Sequence, residues 1–193
     1  IPVLSVMGIQ ACPMPTAVLT SQTGFKSFYC NDCTDKLDYY TSEWKKLGFQ
    51  PDGIYTGFLS SEKQVDKILD FINSFETENT LVLVDPVMGD GGRTYSLFTD
   101  ALACKMKKLV TVADVITPNL TECCILCDVD YCEFIKNADK PDFLDKIAEL
   151  GKNLLNRYGV KIVIITGIEH KDIDGTMYVQ NLIASKDEVF SVS

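Results

Sequence analysis

The chain has 193 residues, 46% of them hydrophobic, a formal net charge of −9 and eight cysteines. That length and apolar content suit a single domain with a substantial core, and no Pro/Gly/Ser linker or charge block divides it. The acidity argues against a nucleic-acid binder, which concentrates Lys and Arg on one face, and the apolar runs fall far short of the roughly 20 residues that span a bilayer. A soluble, cytoplasmic protein without a leader is the expectation. Acidity does not exclude a nucleotide, which backbone N–H groups at helix starts and a Mg²⁺ ion bridging carboxylates to phosphate can hold.

The chain opens at Ile1 without an initiator Met, and residues 2–8 read as the end of a helix stopped by Gly8. Residues 9–19 are mostly apolar but carry Pro13 and Pro15, which fits an edge or irregular strand. Leu37, Tyr40, Trp44 and Leu47 recur at helical spacing before Gly48, and residues 53–57 form a short strand. The clearest helix covers residues 61–75, with Val65, Ile68, Leu69, Ile72 and Phe75 on one face and Ser61 and Gln64 placed for a capping box. Residues 80–84 are an apolar, β-branched run expected of a strand buried on both faces. Thr99 caps a helix through Leu102, Met106 and Leu109, residues 112–117 form a strand, Asn119 begins a helix, residues 143–158 form another, and residues 162–166 a further buried strand. This alternation predicts an α/β fold, a mostly parallel sheet between layers of helices. Residues 177–184 and 189–192 flank a polar turn and predict an antiparallel edge hairpin.

Four apolar runs end on polar residues: Tyr55-Thr56-Gly57, Asp85-Pro86-Val87-Met88-Gly89-Asp90-Gly91-Gly92, Thr117-Pro118-Asn119-Leu120-Thr121-Glu122 and Thr166-Gly167. In an open parallel sheet the strand carboxyl ends share one edge, where the ligand crevice forms. Asp85 and Asp90 bracket a glycine-rich turn and suit a Mg²⁺ ion near a transferred phosphoryl group, with the glycines letting amides approach oxygen. Turn geometry alone also accounts for those residues. Asn119 and Glu122 have capping-box spacing, and a helix start aimed at the crevice would be both capped and anion-facing.

Cys30 and Cys33, and Cys124 and Cys127, have the spacing of a zinc site. Cys123, Cys124 and Cys127 fall in what reads as an amphipathic helix, with Cys132 at its exit, and reduced thiols acting as small apolar side chains are the plainer reading. His170 is the only histidine, which removes any Ser-His-Asp scheme or multi-histidine metal site within this chain; it reads as a loop residue. Asp172 and Asp174 beside Gly175 read as a solvated turn.

Residues 85–92 together with Thr117-Pro118-Asn119-Leu120-Thr121-Glu122 resemble the pyridoxal kinase branch of the ribokinase-like superfamily. The resemblance extends to Pro15-Thr16-Ala17-Val18, to Gln22-Thr23-Gly24-Phe25, to Tyr55-Thr56-Gly57-Phe58 and to Ile164-Ile165-Thr166-Gly167, in the family's order. It implies a three-layer ribokinase-like fold, an ATP- and Mg²⁺-dependent kinase that phosphorylates the 5′-hydroxymethyl group of pyridoxal, pyridoxine or pyridoxamine, a possible monovalent cation, and a homodimer. By the same resemblance Asp85 and Asp90 lie near the Mg²⁺–ATP phosphates and Asn119 and Glu122 join them through metal-bound water, with Asp85 and Glu122 as the metal carboxylates. Thr166 and Gly167 border the nucleotide, Thr23 contacts the pyridoxal ring, and Phe58 stands where many relatives carry a tyrosine over that ring.

The family's Gly-x-Gly-Asp segment, which carries the catalytic base and the anion hole, does not occur before Ser193, nor does the family's first strand with its serine contact. The expectation is therefore one incomplete kinase domain over residues 1–193, cut at both ends, inactive alone but active in its parent. Two alternatives stand beside it. One is the related hydroxymethylpyrimidine kinase, whose members usually carry a lysine after the strand aspartate, where this chain has Met88-Gly89-Asp90. The other is a non-catalytic binding protein that keeps the fold.

Overall fold

The β-branched run that precedes Asp85 lies inside a six-stranded sheet, and it does so because Val82 and Val84 have no exposed surface at all. The computed structural model describes residues 1–21, 25–136, 138, 140–171 and 176–192, with the backbone alone for His170 and Lys171. In chain order its elements are α1 (Pro2–Val6), β1 (Ala17–Leu19), β2 (Cys30–Asp32), a 3₁₀ turn (Thr34–Lys36), α2 (Leu37–Lys46), β3 (Gly53–Thr56), α3 (Glu62–Phe75), β4 (Leu81–Val84), β5 (Gly89–Asp90) and β6 (Arg93–Thr94). They continue with α4 (Asp100–Val110), β7 (Val115–Ile116), α5 (Leu120–Cys127), α6 (Tyr131–Ile135), α7 (Phe143–Tyr158), β8 (Ile162–Lys171), β9 (Met177–Ser185) and β10 (Val189–Val192).

The large sheet has the order β10-β9-β8-β7-β4-β3. Its β3, β4, β7 and β8 run parallel, and β9 and β10 add the expected antiparallel hairpin at one edge. The register aligns Thr56 with Val84, Val84 with Ile116 and Ile116 with Val163, so the residues that follow these positions leave the sheet on one side. The helices cover the strands with side chains repeating at helical spacing: Val65, Ile68 and Ile72 on α3, Leu102, Met106 and Leu109 on α4, and Ile147, Leu150 and Leu154 on α7 are all buried. Each such side chain contributes about 1.5–3 kcal/mol relative to remaining in water. β1 and β2 form a separate antiparallel pair, and no described helix is long and apolar enough to cross a membrane.

Several local expectations need correction. Leu81 is half exposed and Leu83 only partly buried, so β4 is fully covered on one face and incompletely on the other. The strand expected over residues 112–117 shrinks to Val115–Ile116, because Val112 and Ala113 donate back to Leu109 and Val110 at 3.2 Å and prolong the turn that ends α4. The strand expected to stop at Thr166 continues to Lys171 through an irregularity between Ile165 and Ile168, so the His170 backbone pairs with Tyr178 instead of lying in a loop. α5 is not amphipathic: Thr121, Glu122, Cys123, Cys124 and Leu126 are buried, as in a helix surrounded by protein. Asp172, Asp174 and Gly175 lie outside the described residues.

Asp114 closes the amino edge of the parallel sheet. Its N–H donates to the Val82 carbonyl and its Oδ2 accepts the Val82 N–H, both at 2.8 Å, while its carbonyl accepts from Lys161 and Ile162. Burial raises its pKa, but the bond from Lys161, the Val82 N–H and the Lys161 charge outweigh that and hold the carboxyl below its usual value. Asp114→Ala is expected to lower unfolding free energy by about 1–3 kcal/mol, because it orphans a backbone donor in a buried strand, and Asp114→Asn by less. Urea denaturation checks this; an Ala variant with an unchanged midpoint would contradict it.

Candidate active site

Two loops from neighbouring strand ends are sewn together by side-chain to backbone hydrogen bonds. After β4 the chain makes a small hairpin, β5 and β6, whose central residues Gly91 and Gly92 both have positive φ (56° and 77°), the conformation that tight hairpins favour and glycine supplies without strain. A side chain at Gly92 would also collide with the Tyr131 ring at 2.4 Å. After β7, Asn119 caps α5 through a full capping box: its Oδ1 accepts the Glu122 N–H at 3.0 Å and Glu122 Oε2 accepts the Asn119 N–H at 2.8 Å.

The same two side chains also reach across to the hairpin. Glu122 Oε1 accepts the Met88 N–H at 3.0 Å, Asn119 Nδ2 donates to the Gly89 carbonyl at 2.8 Å, and Thr121 Oγ1 accepts the Gly92 N–H at 2.9 Å. Asp85, Asp90, Asn119 and Glu122, distant in sequence, are thereby brought to one place. The glycine amides are not free to approach an external oxygen as expected: the Gly91 N–H goes to Asp90 Oδ1 at 2.8 Å and the Gly92 N–H to Thr121, because the tight hairpin turns both donors inward.

The electrostatics of this place are lopsided. Glu122 is buried, and its carboxyl is pushed up to about 7 by burial, against the N–H groups of Met88, Asn119 and Gly89 and with the help of Asp85. Asp85, half-buried, is pushed up to about 6 by burial alone, and among the described residues its carboxylate has neither a hydrogen bond nor an ion pair. Tyr55 is raised by burial and by Asp85; Tyr95 is raised by burial and then by Asp90, Glu122 and Asp85. Tyr95 thus lies close enough to Asp90, Glu122 and Asp85 to feel all three carboxylates, with no lysine or arginine among the causes of any of these shifts. Two hydroxyls at the ends of β3 and β7, the strands on either side of β4, Thr56 Oγ1 and Thr117 Oγ1, are buried without a partner among the described residues.

The other expected residues divide. Thr166 is tied to the same edge, donating its N–H to the Pro118 carbonyl at 3.0 Å and bridging to Asn119. Gly167 has φ 65° at the irregularity in β8, and its N–H goes to Asn181 Oδ1 at 3.2 Å. Phe58 is half-buried and, with Leu59, Val87, Tyr95, Leu97, Phe98 and Leu102, lines a cavity of ≈ 10 Å³, no more than a water's room, so a ligand would lie on the open side of this wall. Thr23 lies outside the described residues. The cysteines are free thiols, and no cluster of His, Cys, Asp or Glu suited to a metal occurs among the described residues. Burial raises the Cys123 thiol well above its usual value, Cys124 to about 12 and Cys127 to about 11, as befits small apolar side chains. Sequence reasoning quoted Thr56, Thr117 and Thr121 without singling them out, and passed over Tyr95, whose position two residues after Arg93 carries no motif.

Residues 3–193 match the phosphomethylpyrimidine kinase family, and the chain belongs to that family. It is 32% identical over 169 residues to a putative pyridoxal kinase of Schizosaccharomyces pombe, covering 86% of this chain and 46% of that protein. It superimposes on a putative phosphomethylpyrimidine kinase of Bacteroides thetaiotaomicron with a TM-score of 0.85 and 38% identity, over 99% of this chain and 62% of that one. A second crystal form of the Bacteroides protein, with pyridoxal, gives 0.83 and 39% over 96% and 61%. Pyridoxal kinase of Leishmania donovani in complex with ADP and pyridoxamine shares the fold, with a TM-score of 0.69 at 18% identity over 98% and 64%. The chain therefore spans about half the length of the fission-yeast relative and less than two thirds of these structures. Fold and relatives together define a pyridoxal kinase-like protein of the ribokinase-like superfamily.

Asp85 is a carboxylate without a partner among the described residues, and its folded-state pKa lies above the unfolded value of about 3.9. The native state holds that proton more tightly, so its contribution is present at low pH and lost as pH rises through about 6. Asp85→Asn removes this cost. The variant is expected to melt a few degrees above wild type at about pH 8, with the gap shrinking toward about pH 4.5. Thermal melts across that range check it; a gap that is constant, or that widens in acid, would contradict it.

Proposed function

We propose that this chain belongs to an ATP-dependent kinase that transfers a phosphoryl group to the 5′-hydroxymethyl group of a B6 vitamer: pyridoxal, pyridoxine or pyridoxamine. The observation that carries this reading is the convergence of Asp85, Asp90 and Glu122 at the sheet edge, where side-chain bonds sew the turn after Asp85 to the start of α5. The Bacteroides protein crystallised with pyridoxal and the Leishmania kinase with ADP and pyridoxamine support the ligand assignment.

The described residues form no all-protein metal cage, but Mg²⁺ is held by one or two carboxylates together with phosphate oxygens and water, and Asp85 could supply such a carboxylate once a nucleotide is bound. Asp85 offers an oxygen pair with no other partner among the described residues, whereas both Glu122 oxygens already accept N–H groups, which suits Glu122 to a contact through water. When bound, the ion would neutralise phosphate charge. The protein's own part is positioning: Asn119 and Glu122 lock the hairpin, the hairpin sets Asp90, and the amino end of α5 brings its positive dipole end to the same place. Thr166 and Gly167 border the nucleotide in this reading, and Thr23 and Phe58 serve the vitamer ring. We read residues 1–193 as part of one kinase domain and the protein as a cytoplasmic homodimer; a monovalent cation is compatible with the acidic edge.

A second reading is hydroxymethylpyrimidine kinase activity, favoured by the description of the matching family. The natural-length protein that carries this chain is expected to consume ATP with pyridoxal as acceptor and not with hydroxymethylpyrimidine. Asp85→Asn should lower kcat by about two orders of magnitude or more, since phosphoryl transfer depends almost wholly on placed charge. A coupled assay of ADP formation checks both statements. Exclusive use of the pyrimidine would transfer the assignment to the second reading, and turnover with neither would remove the kinase assignment.

A further inference from the structure

Gln64 has the position of a reciprocal capping partner for Ser61 but bonds elsewhere. Its side chain is completely buried, and Oε1 accepts the N–H of Ser60, one residue before the cap. Its Nε2 donates to the Thr16 carbonyl at 2.7 Å and to Asp32 Oδ2 at 3.3 Å. Burying an amide costs free energy unless its donors and acceptor are used, and a Met of similar volume would fill the same space more cheaply. The polar identity is explained by what it ties together: the segment before β1, the end of β2, and the loop between β3 and α3.

That loop, residues 57–61, is held at three points. Gln64 takes the Ser60 N–H at 2.8 Å, Asp32 Oδ2 accepts from Ser60 Oγ at 2.6 Å, and Thr16 Oγ1 donates to the Phe58 carbonyl at 2.7 Å. Asp32 is fixed in turn by the Thr34 N–H on its Oδ1 at 2.7 Å. Phe58 lines the same small cavity as Val87 of the Asp85 turn and Tyr95, the side chain that senses all three carboxylates. Through Phe58 the loop therefore forms a wall packed beside the Asp85 turn.

We propose that Gln64, acting with Asp32 and Thr16, is a positioning residue that fixes this wall and so sets the Phe58 ring for an aromatic acceptor, while leaving the nucleotide side alone. This deepens, and rests on, the kinase reading above. Two anchors at Ser60 and one at Phe58 define both the path and the tilt of a five-residue loop, which packing alone would leave loose.

The test measures pyridoxal and Mg²⁺–ADP binding by calorimetry in the natural-length protein. Gln64→Met keeps the volume and removes all three bonds; Thr16→Val removes only the Phe58 anchor; Thr16→Ser restores it. Gln64→Met and Thr16→Val are expected to weaken pyridoxal binding about tenfold, with Mg²⁺–ADP within about twofold of wild type and Thr16→Ser close to wild type for both. Should Gln64→Met fail to fold, the Val and Ser pair at Thr16 decides. If wild type binds pyridoxal and the Val variant binds it equally well, or loses both ligands in parallel, the positioning role is wrong and the kinase reading stands. If wild type binds neither ligand, the kinase reading itself fails.

Discussion

One carboxylate does three jobs, and the site depends on it. Glu122 closes the cap of α5 on Asn119, clamps the Met88 amide of the neighbouring loop, and adds its charge close to that of Asp85. Without it, only the Asn119 and Thr121 bonds would join the hairpin after β4 to the helix after β7. Burial raises the pKa of Glu122, so the fold spends stability to keep a charge-prone group in this position, and the neighbouring Asp85 has no compensating bond among the described residues. Carboxylates gathered at one place with raised pKa values are a feature of sites arranged for a partner of the opposite sign.

The rest of the architecture serves that placement. The parallel register of β3, β4, β7 and β8 puts Thr56, Asp85, Thr117 and the Asn119–Thr166 bridge along a single edge, and Asp114 secures the opposite edge of the same strands. Rigidity is concentrated in side-chain to backbone bonds that cross between elements. The Asn119 and Thr121 bonds to the hairpin, the Gln64 bonds to Ser60 and Thr16 and the Asp114 bond to Val82 all share this form. Asp128 extends it to the far end of α5, where, at φ 57°, it joins Lys107 of α4 and Arg157 of α7 in one ion-pair network.

Much of this was legible in the sequence because it is written locally. Helical spacing located α3, α4 and α7, β-branched runs located β4 and β8, and the Asn119-x-x-Glu122 spacing anticipated a capping box that the structure forms in full. What escaped depends on partners far along the chain. Gln64 had the right spacing for Ser61, but the Ser60 N–H and the Thr16 carbonyl compete for it, and the latter is 48 residues away. The glycines after Asp90 signalled a turn but not that their amides would be consumed by Asp90 and Thr121. Tyr95 belongs to no motif, and only its closeness to the three carboxylates gives it interest.

The claim that the carboxylates at the sheet edge are gathered to receive a metal-bound nucleotide is tested most directly by counting protons on binding. At about pH 6, Asp85 and Glu122 are partly protonated in the free protein, and a cation placed beside them must expel those protons. Calorimetric titration of Mg²⁺–ADP into the natural-length protein, repeated in buffers of different ionisation enthalpy, should show net proton release that is larger for wild type than for the Asp85→Asn variant. Equal release from both, or proton uptake by wild type, would mean that the nucleotide does not meet these carboxylates.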